Sequence, residues 1–115
     1  MKKLLVLVLL IQIQFINSQK ILKDYPLSNT IEETSGLEII DNMLITHNDS
    51  GGEPTLYYLN KKGEIVETRK IKGVKNNDWE DVTKDDEFIY VANMGNNFDT
   101  RKNLSIIKIP IKKSL

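Results

Sequence analysis

Three short stretches hold residue types that could do chemistry. The first is "NDWEDV" (77–82), where the single tryptophan, Trp79, sits among three carboxylates, Asp78, Glu80 and Asp81. Carboxylate oxygens crowded in this way suit a hard cation such as Ca²⁺, which takes six to eight oxygen ligands and tolerates irregular geometry. The stretch has no EF-hand spacing, so the alternative is structural: the carboxylates accept backbone N–H groups while Trp79 packs. The second is "THNDSGG" (46–52), with the only histidine, His47, beside Asn48, Asp49 and Ser50. These are the residue types of a hydrolytic triad, but a triad needs a base that faces its nucleophile. Neighbours on one strand end point in different directions. Turn formation through Asn48, Asp49, Gly51 and Gly52 is the simpler reading, and a lone histidine is a poor zinc site. The third is "NMGNNFDTRKN" (93–103), a polar loop in which Asn96, Asn97 and Arg101 are candidate ligand contacts. Arg101 suits a carboxylate or a phosphate, or else pairs with Asp78 or Asp81.

The elements that must position these residues are short strands. Runs rich in Ile, Val, Tyr and Thr, bounded by Asp, Asn and Gly, predict strands near 36–40, 43–48, 55–60, 64–71, 81–84, 87–93 and 103–109. Asp41-Asn42 and the "NKKG" stretch ending at Gly63 supply tight turns. Beyond the N-terminal segment, no stretch has helical spacing of apolar residues. Tyr57, Tyr58 and Tyr90 fall on strands and are assigned to packing, and Lys70, Lys72 and Lys75 to a solvated edge.

The chain also repeats itself. A shift of 45 lays "DWEDVTKDDEFIYVANMGNN" (78–97) over "ETSGLEIIDNMLITHNDSGG" (33–52), with Val82 over Leu37 and Asn93 over Asn48. After an insertion of three, Leu104 falls over Leu56. Four short antiparallel strands recurring about every 40–50 residues have the period of a β-propeller blade. The expected fold is therefore all-β, with antiparallel four-stranded blades, about two of them present as a partial propeller. The expected division is a signal peptide at 1–18, an N-terminal arm at 19–30, one repeat at 31–75 and an incomplete second repeat at 76–115. Propellers close with about four to eight blades. The reading therefore expects either missing C-terminal blades or a homo-oligomer, with apolar surface exposed at Ile21, Leu22 and Leu27.

Composition bounds the function. Hydrophobic residues make up 40% and charged residues 28%, which is ordinary for a globular domain. Lys2 and Lys3 precede an apolar run that Gln12 and Gln14 interrupt, and Ser18 follows as a cleavable small residue. Export to the periplasm, cell surface or exterior is expected, with no stable membrane span after cleavage. Removing this segment leaves 14 basic against 16 acidic residues, a net charge of −2. No electrostatic case for nucleic acid remains. Without cysteine there is no disulfide, thiol nucleophile or thiolate metal site, and packing alone must hold the fold.

The stretches "ETSGLEI", "THNDSGGEPTLYYLN", "NDWEDVT" and "YVANMGNNFDTRKNLSIIKIP" resemble, in order, the N-terminal part of a family of exported bacterial β-propellers common in Bacteroidota. That family is similar to the SdiA-regulated and esterase-like phytase propellers. The resemblance spans about residues 31–110 and implies a fold and an export route more than a chemistry. The primary expectation is a ligand-, ion- or protein-binding module with an unknown ligand and no catalytic residue. The alternative is a Ca²⁺-dependent hydrolase of phosphate or carboxyl esters, to which Asp78, Glu80, Asp81 and His47 would contribute.

Overall fold

A computed structural model describes residues 19–111; the expected signal segment, 1–18, lies outside the described residues, as do 112–115. The described chain is all-β. Seven strands run in order: β1 (Thr34–Ile40), β2 (Met43–Asn48), β3 (Thr55–Leu59), β4 (Ile65–Lys70), β5 (Asp81–Lys84), β6 (Phe88–Asn93) and β7 (Ser105–Pro110). They form two antiparallel meanders, a first sheet β1-β2-β3-β4 and a second sheet β5-β6-β7.

Local chemistry sets the turns. Asp41 and Asn42 both take positive φ, 48° and 64°. This left-handed pair matches the twist of a two-residue hairpin, and short Asx side chains tolerate it best. Between β3 and β4, Gly63 has φ 78°, and the Asn60 side-chain oxygen accepts the N–H groups of Lys62 (2.8 Å) and Glu64 (3.1 Å). Between β5 and β6, Asp85 does the same for Glu87 and Phe88 and also accepts the Tyr90 hydroxyl at 2.7 Å.

The 45-residue repeat is present in the strand pairing itself. Leu37 lies opposite Thr46 in the first sheet and Val82 opposite Val91 in the second; Ile39 opposite Leu44 corresponds to Lys84 opposite Ile89. The third strands follow a different offset. Tyr57 pairs with Thr46 and Ile107 with Val91, an offset of 50, so Ile106 rather than Leu104 takes the place of Leu56. The difference is the loop before β7. It is two residues longer than the apolar match suggested, because it folds back on Arg101 before the strand begins.

Pairing also fixes which faces meet. Ile40, Ile45, Leu56 and Tyr58 on one face of the first sheet join Val82, Ile89, Val91 and Ile109 of the second in one core, with Trp79 among them. The edge strands β1 and β5 touch directly. There is no side chain at Gly36: a Cβ there would lie 2.7 Å from the Val82 backbone nitrogen and 2.9 Å from Asp81 Cα. The opposite face of the first sheet holds a smaller cluster, Ile31, Tyr57 and Leu59. Ile21, Leu22 and Leu27 in the arm are 78%, 85% and 39% exposed, as expected, with Leu27 lying beside Gly63. Lys70 is on the outer edge and pairs with Glu53 at 2.5 Å.

Candidate metal centre

The carboxylates that meet come from both repeats. One oxygen each from Asp49, Asp78 and Glu80 lies within 4.8 Å of the others, and all three residues are half-buried. Asp49 follows β2, whereas Asp78 and Glu80 lead into β5, so a set of backbone contacts has to bring them together. Asn76 supplies two of these: its amide nitrogen donates to the Asn48 carbonyl (2.9 Å) and its side-chain oxygen accepts the Trp79 N–H (3.2 Å). The same Trp79 N–H reaches the Asp49 carbonyl at 3.2 Å, and the Asp49 N–H donates to the Glu33 carbonyl at 3.1 Å. The Ser35 hydroxyl closes the seam by donating to the Trp79 carbonyl at 3.0 Å. From the other side, Glu80 N–H donates to the Ala92 carbonyl (2.9 Å) and Gly95 N–H to the Asp78 carbonyl (3.2 Å).

These contacts bring like charges together. Among the described residues no lysine, arginine or histidine forms an ion pair with any of the three. Asp49 Oδ1 is buried without a hydrogen-bond partner. Gly95 is buried against the group, and a Cβ there would run into the carboxylates of Asp78 and Glu80. Burial pushes the Asp49 carboxyl above its ordinary range, and the neighbouring carboxylates of Asp78, Glu80 and Glu33 push it the same way. An all-oxygen donor set with one oxygen unsatisfied fits a hard divalent cation rather than zinc.

The remaining candidate residues have other positions. Asp81 is exposed, and its Oδ1 accepts the neighbouring Val82 N–H at 2.8 Å, outside the group. Asn48 ties down the arm by accepting Glu32 N–H and donating to the Thr30 carbonyl, both at 3.0 Å. Asn96 accepts the Arg101 N–H at 2.8 Å, and Asn97 is exposed. Arg101 makes no ion pair with Asp78 or Asp81; its guanidinium donates to the carbonyls of Gly95 and Asn93 and shapes the loop beside the carboxylates. His47 is fully enclosed, with Nδ1–H donating to the Asn48 carbonyl at 3.1 Å and its ring set edge-on to Trp79 at 5.7 Å. Sequence reasoning offered Asp78, Glu80 and Asp81 as candidate metal ligands and placed Asp49 in a turn as a candidate ligand contact; the structure groups Asp49 with Asp78 and Glu80 and leaves Asp81 outside. The signal for Asp49 was its place: the turn after β2 and the entrance to β5 lie at the same end of the sheets.

The shifted groups give opposite pH dependences. His47 is pushed below its ordinary value, mainly by burial, against the opposing pull of the Asn48 carbonyl, Asp81 and Glu80. Stability tied to its neutral form is present above about pH 6.5, the unfolded value, and is lost as pH falls below it. Asp49 has the reverse sign: its favourable, protonated state is present below about pH 3.9 and is lost as pH rises through the raised native value. In chelator at pH 7, Asp49→Asn is therefore expected to raise the thermal midpoint. Its advantage should vanish near pH 3, as read by circular dichroism melts across pH.

No protein-family model, curated protein or solved structure matches the chain.

Proposed function

We propose that the chain is an exported binding module built as part of a β-propeller, and that its binding centre takes a divalent cation of the calcium type through Asp49, Asp78 and Glu80. The observation that carries this reading is the convergence of three carboxylates from two repeats with no ion-paired lysine, arginine or histidine among the described residues. Such a group is costly when empty and favourable when a cation neutralises it, because like charges in a partly desolvated site disfavour ionisation. Calcium would draw oxygens from these three side chains and complete its shell with water. Because Asp49 belongs to the first repeat and the other two to the second, the cation would join the repeats and couple binding to stability. The propeller reading is supported by the repeat in strand pairing and by the contact between β1 and β5. The export reading is supported by the residue pattern of 1–18. A hydrolytic role for the same centre has no specific support, since His47, its expected base, is enclosed between the sheets and does not join the carboxylates.

The test is thermal melting with calcium chloride in place of chelator. Calcium at about 100 times its Kd should stabilise the native state by about 2.7 kcal/mol. Asp78→Asn, and Gly95→Ala through its intruding methyl, should abolish that gain. A midpoint that stays unchanged in millimolar calcium would overturn the proposal.

A further inference from the structure

The two sheets are related by the repeat, so each face of one has a counterpart on the other. Call forward the face of the first sheet that packs on the second, carrying Ile45, His47 and Leu56. Call rear the face that receives it, carrying Val82, Val91 and Ile107 of the second sheet. By the offsets of 45 and 50, the forward face of the second sheet presents Tyr90, Ala92 and Ile106. The rear face of the first sheet presents Leu37, Thr46 and Tyr57. Both halves of the internal interface thus have counterparts on the outside, the forward one carrying charge at its margins, where Lys108 stands in the place of Tyr58 and exposed Asp81 lies opposite Ala92.

Their exposure matches this. On the outward forward face Ile106 is 53% exposed, and on the outward rear face Leu37 and Ile39 are 62% and 60% exposed. The rear face is partly covered, since Ile31, at the start of the first repeat, packs on Tyr57 and Leu59, leaving the β1 side open. Large apolar side chains left open on a solvent-facing sheet, here Leu37 and Ile39 on one face and Ile106 on the other, mark a contact surface.

We infer that a second copy of this chain docks head to tail, the rear face of its first sheet, around Leu37 and Ile39, covering the forward face of the second sheet around Tyr90, Ala92 and Ile106. The occupant is a second copy because that face is the one whose counterpart already fills this place within the chain, and the external contact continues the internal one by the same operation. A contact between two different patches is heterologous, so it propagates to a ring or an open series rather than stopping at a symmetric dimer. The inference is independent of the cation centre, and the experiment is run in chelator.

Light scattering coupled to size exclusion reads the mass of the chain across a concentration series. The mass is expected to rise above the monomer with concentration. Ile106→Glu removes the forward patch and Leu37→Glu the rear patch. Both sites are more than half exposed, so each variant should melt like the parent while associating at least tenfold more weakly. The mixture is the decisive sample, because Ile106→Glu retains an intact rear face and Leu37→Glu an intact forward face. Mixed, they should form a one-to-one dimer and nothing larger. A parent chain that stays monomeric at every concentration, variants that still associate alone, or a mixture that stays monomeric would each overturn the inference. The first of these outcomes would assign the two faces to sheets of another chain.

Discussion

Trp79→Ala is expected to cost about 3–5 kcal/mol, the range for removing a large buried aromatic side chain. Trp79 is fully enclosed in the core shared by the two sheets. Its ring meets the edge of His47 at 5.7 Å, and its backbone is bonded to Asn76, Asp49 and Ser35. The substitution therefore opens a cavity where the repeats are stitched together, beside two candidate ligands. Domains of this size have total stabilities near the low end of about 5–15 kcal/mol, and the chain has no disulfide to add to the packing between the sheets. Urea unfolding followed by circular dichroism should show the midpoint falling towards zero denaturant. A fall of less than 1 kcal/mol would mean that Trp79 is not the centre of the inter-sheet core.

Gly36→Ala should have the next largest effect, about 1–3 kcal/mol, as expected for forcing a methyl into a packed interior. Two of the atoms it would meet, Val82 N at 2.7 Å and Asp81 Cα at 2.9 Å, are backbone and cannot rotate away. The third is His47 Nε2 at 2.7 Å, on a ring that is itself enclosed. Relief requires β5 to move away from β1, which shifts Glu80 and Asp78 relative to Asp49. The same variant should accordingly lose calcium affinity although it alters no ligand. Alanine tolerated with less than 0.5 kcal/mol of destabilisation and unchanged calcium binding would show that β1 and β5 are not held this closely.

Much of the architecture was legible in the sequence because it follows from local rules. Alternating apolar residues and Asx or Gly turns located each strand to within about two residues, and the hairpin repeat survives as a 45-residue offset in the pairing. The later offset was not legible. Leu104 offered an apolar match to Leu56, but the loop before it is built around Arg101 and backbone carbonyls, which leave no apolar pattern. The candidate centre was half legible: Asp78 and Glu80 announce themselves beside Trp79. Asp49 joins them only because Asn76 and Trp79 draw one repeat's turn onto the next repeat's entrance, through tertiary contacts to Asn48 and Asp49 that no local pattern encodes. Asp81, adjacent in sequence, points away because successive strand residues face opposite sides. His47 follows the same logic in reverse, since a residue type that suggests catalysis is used here to fill the space between the sheets.

The most direct test of the account is equilibrium dialysis of the full chain against radioactive calcium at pH 7.5, alongside Asp49→Asn and Asp78→Asn. Asp49 and Asp78 come from different repeats, so the account predicts one saturable calcium ion per parent chain and at least a tenfold loss of affinity in each variant. No saturable calcium on the parent chain, or binding that survives both substitutions unchanged, would contradict it.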